Sequence, residues 1–157
     1  HRYPSALGPD VLSEEIERMR AQLQSSKYRR RRFGSLFLDQ HFIAGIGNYL
    51  RSEILFVAGL HPQMRPLDCS TSMLDRLADA AVAVSRQSYR HGGVTNGLDD
   101  AAALKAQGKT RSQYRHWVFA RGNESCRRCD TRIVEDTTAS RLIYFCPVCQ
   151  PVLTEAF

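Results

Sequence analysis

The feature that most constrains the fold of this chain is a pair of C-x-x-C motifs near its end. The motifs "CRRC" and "CPVC" are separated by sixteen residues. Two thiolates two residues apart can hold one face of a tetrahedral metal ion, and a hairpin between the motifs brings the second pair back to complete it. The segments "TRIVED" and "RLIYF" have strand composition, and "TTAS" between them is typical of a turn. The sequence therefore predicts a β-hairpin closed by one structural Zn²⁺ on Cys126, Cys129, Cys146 and Cys149.

Two alternatives use the same residue types, namely a pair of disulfides or a reduced redox C-x-x-C motif. The first residues contain no recognisable secretory signal, which favours the metal over disulfides. Redox chemistry explains two C-x-x-C motifs on one hairpin less well. A site of four thiolates has no open coordination position, so we expect the zinc to hold structure and not to catalyse. Cys69 lies far from the motifs, and we interpret it as a spare thiol.

Ahead of the hairpin, the apolar spacing predicts four helices with short connections. They cover residues 14–24 with Ser13 as N-cap, part of 34–45, the segment from Asn48 to Gly59, and a long stretch from 70–72 to Gly92. The predicted fold class is mainly α, a helical domain followed by a small four-cysteine β-hairpin. The predicted divisions are a linker at 1–10, the helical domain at 11–93, a flexible loop at 94–113 and the hairpin unit at 114–157. In that last unit "YRHWVFAR" is also predicted to be a strand.

The stretch "AGIGNYLRSEIL" is a glycine-rich turn that opens directly into a helix. Such a turn presents backbone N–H groups to a phosphate. The stretch follows a helix and lacks the Walker-type Lys-Ser/Thr, which argues against a nucleotide cofactor. Gly45 and Gly47 leave room for a polymer backbone, and Asn48 either contacts that backbone or only caps the helix. We interpret Arg51 and Glu53, one turn further on, as structural or surface charges.

The charge balance favours an anionic partner. The formal net charge is +6, and four thiolates with one Zn²⁺ add −4 + 2 = −2, which leaves about +4. A basic domain favours nucleic acid, although charge alone is equally compatible with a soluble basic protein. The basic run at 27–32 is interpreted as a solvated face, with a direct phosphate contact as the alternative. Arg141 follows the predicted turn and either forks onto a phosphate or only solvates the surface. No apolar run is long enough for a membrane span.

The order "LDQHFIAGIGNYLRSEILF", then a four-cysteine hairpin containing "SRLIYFCPVCQ", resembles the formamidopyrimidine-DNA glycosylase/endonuclease VIII family. "GPDVL" and "CPVCQ" are most similar to the bacterial endonuclease VIII branch. The resemblance implies a base-excision-repair enzyme with a β-sandwich, a helix–two-turn–helix domain and a zinc finger. It also implies removal of oxidised bases, chiefly pyrimidines, and strand cleavage by β,δ-elimination. The implied partner is double-stranded DNA with oxidised bases or abasic sites, bound by a monomer in the bacterial cytoplasm, at the nucleoid.

The resemblance also assigns roles to particular residues. Asn48, next to Gly47, matches the asparagine that contacts a DNA phosphate at the two-turn junction. Arg141 matches the zinc-finger arginine that grips phosphates beside the lesion and is assigned to δ-elimination. The family's nucleophile is an N-terminal proline beside a glutamate, whereas this chain begins with His1 and its Pro4 is interior. We therefore expect the C-terminal part of a longer enzyme, inactive alone. A non-enzymatic zinc-containing DNA-binding module and a zinc-ribbon adaptor are the alternatives.

Overall fold

The computed structural model describes residues 16–153, and the predicted linker at 1–10 and the predicted N-cap Ser13 lie outside them. The described part is mainly helical and ends in one two-stranded antiparallel sheet. The prediction of fold class is confirmed. The elements are α1 (Ile16–Leu23), α2 (Phe33–Leu36), α3 (Asn48–Ala58), a 3₁₀ helix (Pro66–Asp68), α4 (Thr71–Arg90), α5 (Leu98–Ala106), α6 (Arg111–Tyr114), β1 (Val134–Thr138) and β2 (Arg141–Phe145).

The ends of α3 and α4 follow from local sequence. Gly47 is the extended N-cap of α3, and Gly59 closes that helix in the left-handed conformation with φ 74°. The hydroxyl of Ser70 caps α4 by accepting a hydrogen bond from the N–H of Met73 at 3.3 Å. The predicted starts of both helices and the predicted stop of α3 are confirmed. Helix α4 ends at Arg90 with His91 as its C-cap, shortly before the predicted stop at Gly92.

Helices α1, α3 and α4 pack around the main hydrophobic core. An aromatic group from the segment between α1 and α3 closes one side of it, with Tyr28, Phe37 and Phe42 in edge-on or tilted ring contacts. Ile143 of β2 is buried in the same core. The hairpin therefore shares its core with the helices, and the two are not independent packing units.

The two predicted strands pair as an antiparallel hairpin, in which Thr138 pairs with Arg141 across a two-residue turn. Ala139 and Ser140 in that turn both have positive φ, 54° and 64°, as tight hairpin turns require. The first strand begins at Val134, three residues later than the predicted segment "TRIVED". The run 114–121 was expected to be a strand, but Tyr114 ends the short helix α6 and the residues after it form bends and turns. That prediction was wrong.

The segment 94–113 was also wrongly predicted to be a loop, because it holds the helices α5 and α6. Asp99 and Asp100 favour the positive N-terminal end of α5, and the alanines that follow have high helix propensity. Only Ala101 of this helix is buried. The helix therefore lacks the apolar periodicity by which an amphipathic helix is recognised from sequence.

Of the helices between residues 16 and 153, none combines the length and apolar character needed to cross a bilayer.

Candidate nucleic-acid interface

The start of α3 is open towards solvent. A Cβ added to Gly47 would meet no atom within 4 Å, and no side chain caps the first N–H groups of the helix. These N–H groups and the positive end of the helix dipole favour an anion at this position. Asn48, the first residue of α3, is half-buried, and its Oδ1 accepts a hydrogen bond from Arg51 at 3.0 Å. The amide group Nδ2 is thus the part of Asn48 left to donate to an anion.

Arg51 is a fully buried side chain that joins α3 to the hairpin. Its guanidinium donates to the carbonyl of Gly34 in α2 at 2.5 Å and to the carbonyl of Leu142 in β2 at 3.1 Å. Longer contacts reach the carbonyls of Thr138 at 3.3 Å and Arg141 at 3.4 Å. Burial, and secondarily the charge of Arg141, lower the pKa of Arg51 to about 10, so it stays charged at neutral pH. The interpretation of Arg51 as a structural charge is confirmed.

The hairpin turn lies close to α2 as well as to α3. A Cβ on Gly34 would come within 3.0 Å of the methyl group of Thr138, so a larger residue there would push the turn away. Arg141 begins β2 directly after this turn and is exposed. Its guanidinium forms no ion pair or hydrogen bond with another residue between 16 and 153. Arg51 therefore fixes the backbone of Arg141 and the side chain of Asn48, the two residues predicted to contact phosphate.

Glu53 is a second buried charge on α3, and sequence reasoning missed its role as an anchor. Its two carboxylate oxygens accept hydrogen bonds from the N–H groups of Trp117 at 2.7 Å, Val118 at 2.9 Å and Phe119 at 3.0 Å, and from the hydroxyl of Thr95. Burial raises the pKa of Glu53, and these four donors oppose that rise. The backbone N–H groups of the 117–119 segment are thus satisfied by a carboxylate and not by a neighbouring strand. An acid inside the apolar run "LRSEILF" was the available signal.

A histidine lies beside this anchor. The Nδ1 atom of His116 is 2.7 Å from the hydroxyl of Thr95, which also contacts Glu53. The ring stacks at a tilt on Tyr49, and the guanidinium of Arg115 covers the Tyr49 ring. Burial first, and then the nearby charges of Arg115, Arg111 and Arg127, lower the pKa of His116 to about 3. The ring is therefore neutral at physiological pH.

The four cysteines of the two C-x-x-C motifs come together at the base of the hairpin. Their sulfur atoms all lie within 4.8 Å of one another, and two of the separations are 3.4 and 3.9 Å. A tetrahedral ion with bonds of about 2.3 Å needs sulfurs roughly 3.8 Å apart, so the arrangement fits a metal ion. None of the cysteines forms a disulfide. Burial raises the pKa of Cys146 and Cys149, so an ion would have to supply the positive charge that ionises them.

The hairpin carrying this cluster is tied to the helices on the other side as well. The side chain of Gln150 donates to the carbonyl of Leu60 at 3.0 Å and accepts from the N–H of Cys146 at 2.9 Å. The guanidinium of Arg128 covers the rings of Phe56 and Trp117. Residues beside the cysteine cluster are therefore in contact with Phe56 of α3 and with Trp117, the only tryptophan of the sequence.

Residues 7–99 match the model of the formamidopyrimidine-DNA glycosylase H2TH domain, the helix–two-turn–helix domain, which is more than half of the chain. The chain belongs to this family. It is 41% identical to endonuclease 8 of Klebsiella pneumoniae over 152 residues, 96% of this chain and 54% of that protein. It is 40% identical to endonuclease 8 of an Enterobacter species over the same share of each chain. The family member described here spans about half the length of the curated relatives it matches.

Solved structures of Lactococcus lactis formamidopyrimidine-DNA glycosylase have the same fold. One, bound non-covalently to DNA with an abasic site, superimposes with a TM-score of 0.74 at 25% identity and covers 94% of this chain and 51% of its own. Another, in complex with DNA containing an oxidised pyrimidine, gives a TM-score of 0.73 at 27% identity over 94% and 52%. The H2TH family fold predicted from the sequence is thus confirmed.

Proposed function

We propose that this chain is the DNA-binding C-terminal part of a DNA glycosylase that removes oxidised bases, pyrimidines foremost, and cuts the abasic strand by β,δ-elimination. The observation that carries the proposal is the buried guanidinium of Arg51. It holds the side chain of Asn48 at 3.0 Å and binds the backbone carbonyl of Arg141 at 3.4 Å. One rigid support thereby presents an amide donor and an unpaired guanidinium, both suited to phosphate oxygens.

We infer the class of damaged DNA from the named relatives. Endonuclease 8 proteins match nearly the whole chain, and the Lactococcus lactis neighbours hold DNA with an abasic site or an oxidised pyrimidine. The family resemblance supports a monomer that acts on nucleoid DNA in the bacterial cytoplasm. It also supports a δ-elimination role for Arg141. Because the chain spans about half of its relatives, we assign the nucleophile and the catalytic glutamate to the remainder of the protein. The isolated chain is expected to bind DNA without cutting it.

We propose Zn²⁺ as the ion of the cysteine cluster. Four thiolates at these separations suit a closed tetrahedral zinc site, and a closed site supplies structure in place of Lewis-acid chemistry. The role of the ion is to hold the ends of β1 and β2 together, so that the turn bearing Arg141 keeps its position against α2. Metal analysis of the purified chain tests this directly, with one zinc per chain expected.

Fluorescence anisotropy with a duplex containing an abasic-site analogue tests the DNA-binding function. The chain is expected to bind with a steep dependence on salt, because phosphate contacts dominate its affinity. Arg141→Ala is expected to lower the slope of log K against log [salt] by about 1 and to weaken binding on any sequence, because it removes one charged phosphate contact. Asn48→Ala is expected to weaken binding on any sequence with little change of slope, because the amide carries no charge. Arg90→Ala removes an exposed charge elsewhere and serves as the control. Absence of binding at low salt would contradict the proposal, as would a covalent product after borohydride treatment on abasic DNA.

A further inference from the structure

The basic run at residues 27–32, here called the basic turn, is an anchored structure and not a mobile charged loop. It joins α1 to α2. Tyr28 is buried in the core, and its hydroxyl donates to the carbonyl of His41 at 3.1 Å. The N–H of Leu67 binds the carbonyl of Arg29 at 2.9 Å, and the N–H of Arg31 binds the carbonyl of Tyr28 at 3.0 Å. The charged side chains of the turn are therefore presented from a fixed backbone.

Most positive charges of the basic turn have no carboxylate partner among the acids that the structure describes. Within the turn only Arg31 is paired, with Asp39 at 2.5 Å. Asp68, whose carboxylate also interacts electrostatically with Arg32, is engaged twice by Arg65, at 3.0 and 2.7 Å. Among residues 16–153, no ion pair is formed by Lys27, Arg29, Arg30 or Arg32.

Three of these cations are exposed, so their charges are accessible to an anion in solution. Lys27, Arg30 and Arg32 are exposed, and Arg29 is half-buried. Neighbouring positive charges on a fixed backbone repel one another, and the negative charges of an anionic polymer reduce that repulsion. Binding also releases the counterions condensed on the polymer, which favours association. Exposed guanidinium groups suit phosphate oxygens in particular, since they can donate two parallel hydrogen bonds.

The basic turn is joined rigidly to the support that holds the phosphate-contacting residues. Arg32 is the N-cap of α2, and two residues later the carbonyl of Gly34 accepts the hydrogen bond from Arg51. Arg51 in turn holds Asn48 and the hairpin turn. A duplex seated on Asn48 and Arg141 is therefore held by the same rigid body that carries the basic turn.

We propose that the basic turn is a second contact surface for the phosphodiester backbone, taking phosphates of the bound duplex other than those at Asn48 and Arg141. This inference rests on the proposed DNA-binding function. The contact is electrostatic, made by Lys and Arg side chains alone, so it adds affinity and salt dependence without selecting a base sequence. It also accounts for a dense positive run in which, between residues 16 and 153, only Arg31 forms an ion pair.

The double variant Arg30→Gln/Arg32→Gln, made in the full chain with zinc present, tests the proposal by anisotropy on duplex DNA between 50 and 200 mM salt. Two lost phosphate contacts lower the slope of log K against log [salt] by about 1.8, at about 0.9 for each phosphate on B-DNA. When the salt concentration falls fourfold, the affinity of the wild type therefore rises about tenfold more than the affinity of the variant. Arg90→Gln/Lys105→Gln removes the same charge from exposed positions on α4 and α5 and is expected to keep the wild-type slope.

The charge-retaining variant Arg30→Lys/Arg32→Lys is expected to keep most of the slope, and fluorescence of Trp117 with circular dichroism verifies the fold of each variant. An unchanged slope in Arg30→Gln/Arg32→Gln, or an equal loss in the Arg90/Lys105 control, overturns the inference. If the wild type binds and responds to Asn48→Ala and Arg141→Ala in either of those cases, only this inference fails. If the wild type itself does not bind duplex DNA at low salt, the proposed function fails with it.

Discussion

Replacing Arg51 by Met tests whether one buried guanidinium joins the helical domain to the hairpin. Met keeps an unbranched apolar side chain of similar reach but donates no hydrogen bond. The three shortest bonds lost go to Gly34 at 2.5 Å, Asn48 at 3.0 Å and Leu142 at 3.1 Å. At a net contribution of about 1 kcal/mol for each hydrogen bond, their loss destabilises the chain by about 3 kcal/mol. For a chain of this size that corresponds to a fall in Tm of about 6–12 °C.

The same substitution is expected to weaken DNA binding, because Asn48 loses the donor that orients its amide and the turn before Arg141 loses its support. We expect about a tenfold weaker Kd, equivalent to about 1.4 kcal/mol. Thermal unfolding followed by circular dichroism gives the stability change, and anisotropy with an abasic-site duplex gives the affinity. Arg51→Lys is the matched control, since it keeps the charge but cannot span all the acceptors, and an intermediate effect is expected. An Arg51→Met chain with wild-type Tm and Kd would refute the reasoning.

Three further predictions concern the contacts around the hairpin. Chelation of the proposed zinc is expected to leave most of the helical circular dichroism signal but to lower the midpoint of helix unfolding, because Ile143 belongs to the main core. An unchanged midpoint would show that hairpin and helices are uncoupled. Glu53→Gln places an NH₂ group against backbone N–H donors and is expected to lower the free energy of unfolding by about 2–4 kcal/mol. Urea unfolding followed by Trp117 fluorescence measures this, and an unchanged midpoint would mean that the carboxyl group is protonated in the folded chain. In the folded state the pKa of His116 is about 3, whereas in the unfolded chain it is about 6.5, so the folded state binds fewer protons at this residue. The free energy of unfolding therefore falls as the pH drops below about 6.5, by about 2 kcal/mol at pH 5. The free energy of unfolding of the wild type and of His116→Asn, each measured against pH, tests this prediction. Parallel curves for the two chains would contradict it.

Local sequence was enough to predict the elements whose signals are local. The limits of α3 and α4 follow from Gly47, Gly59 and Ser70, which act within one helical turn of their own positions. The hairpin follows from strand composition around a turn and from the spacing of the two C-x-x-C motifs. The sequence did not indicate helix α5, because this helix buries a single alanine and so shows no periodic pattern of apolar residues.

The candidate site could be predicted only in part. Asn48 and Arg141 were singled out, and Arg51 holds the side chain of Asn48 and the backbone of Arg141, but their contacts with phosphate stay a prediction. Arg51 and Glu53 were recognised as charges near a helix start, whereas their partners lie up to 91 residues away for Arg51 and 66 for Glu53. No local pattern indicates such partners, because the hydrogen bonds form only once the hairpin and the 117–119 segment have packed against α3.

The sequence by itself therefore determined the family, the limits of α3 and most of those of α4, the cysteine cluster and the positive charge, all of which depend on residue type and short spacing. The tertiary structure alone decided that the hairpin shares the core of the helices, that Glu53 replaces a strand partner for residues 117–119, and that Arg51 joins α2, α3 and the hairpin turn. The physical reason is burial. A charged side chain removed from water must find every hydrogen-bond partner within the fold, and those partners come from distant parts of the chain that only packing brings together.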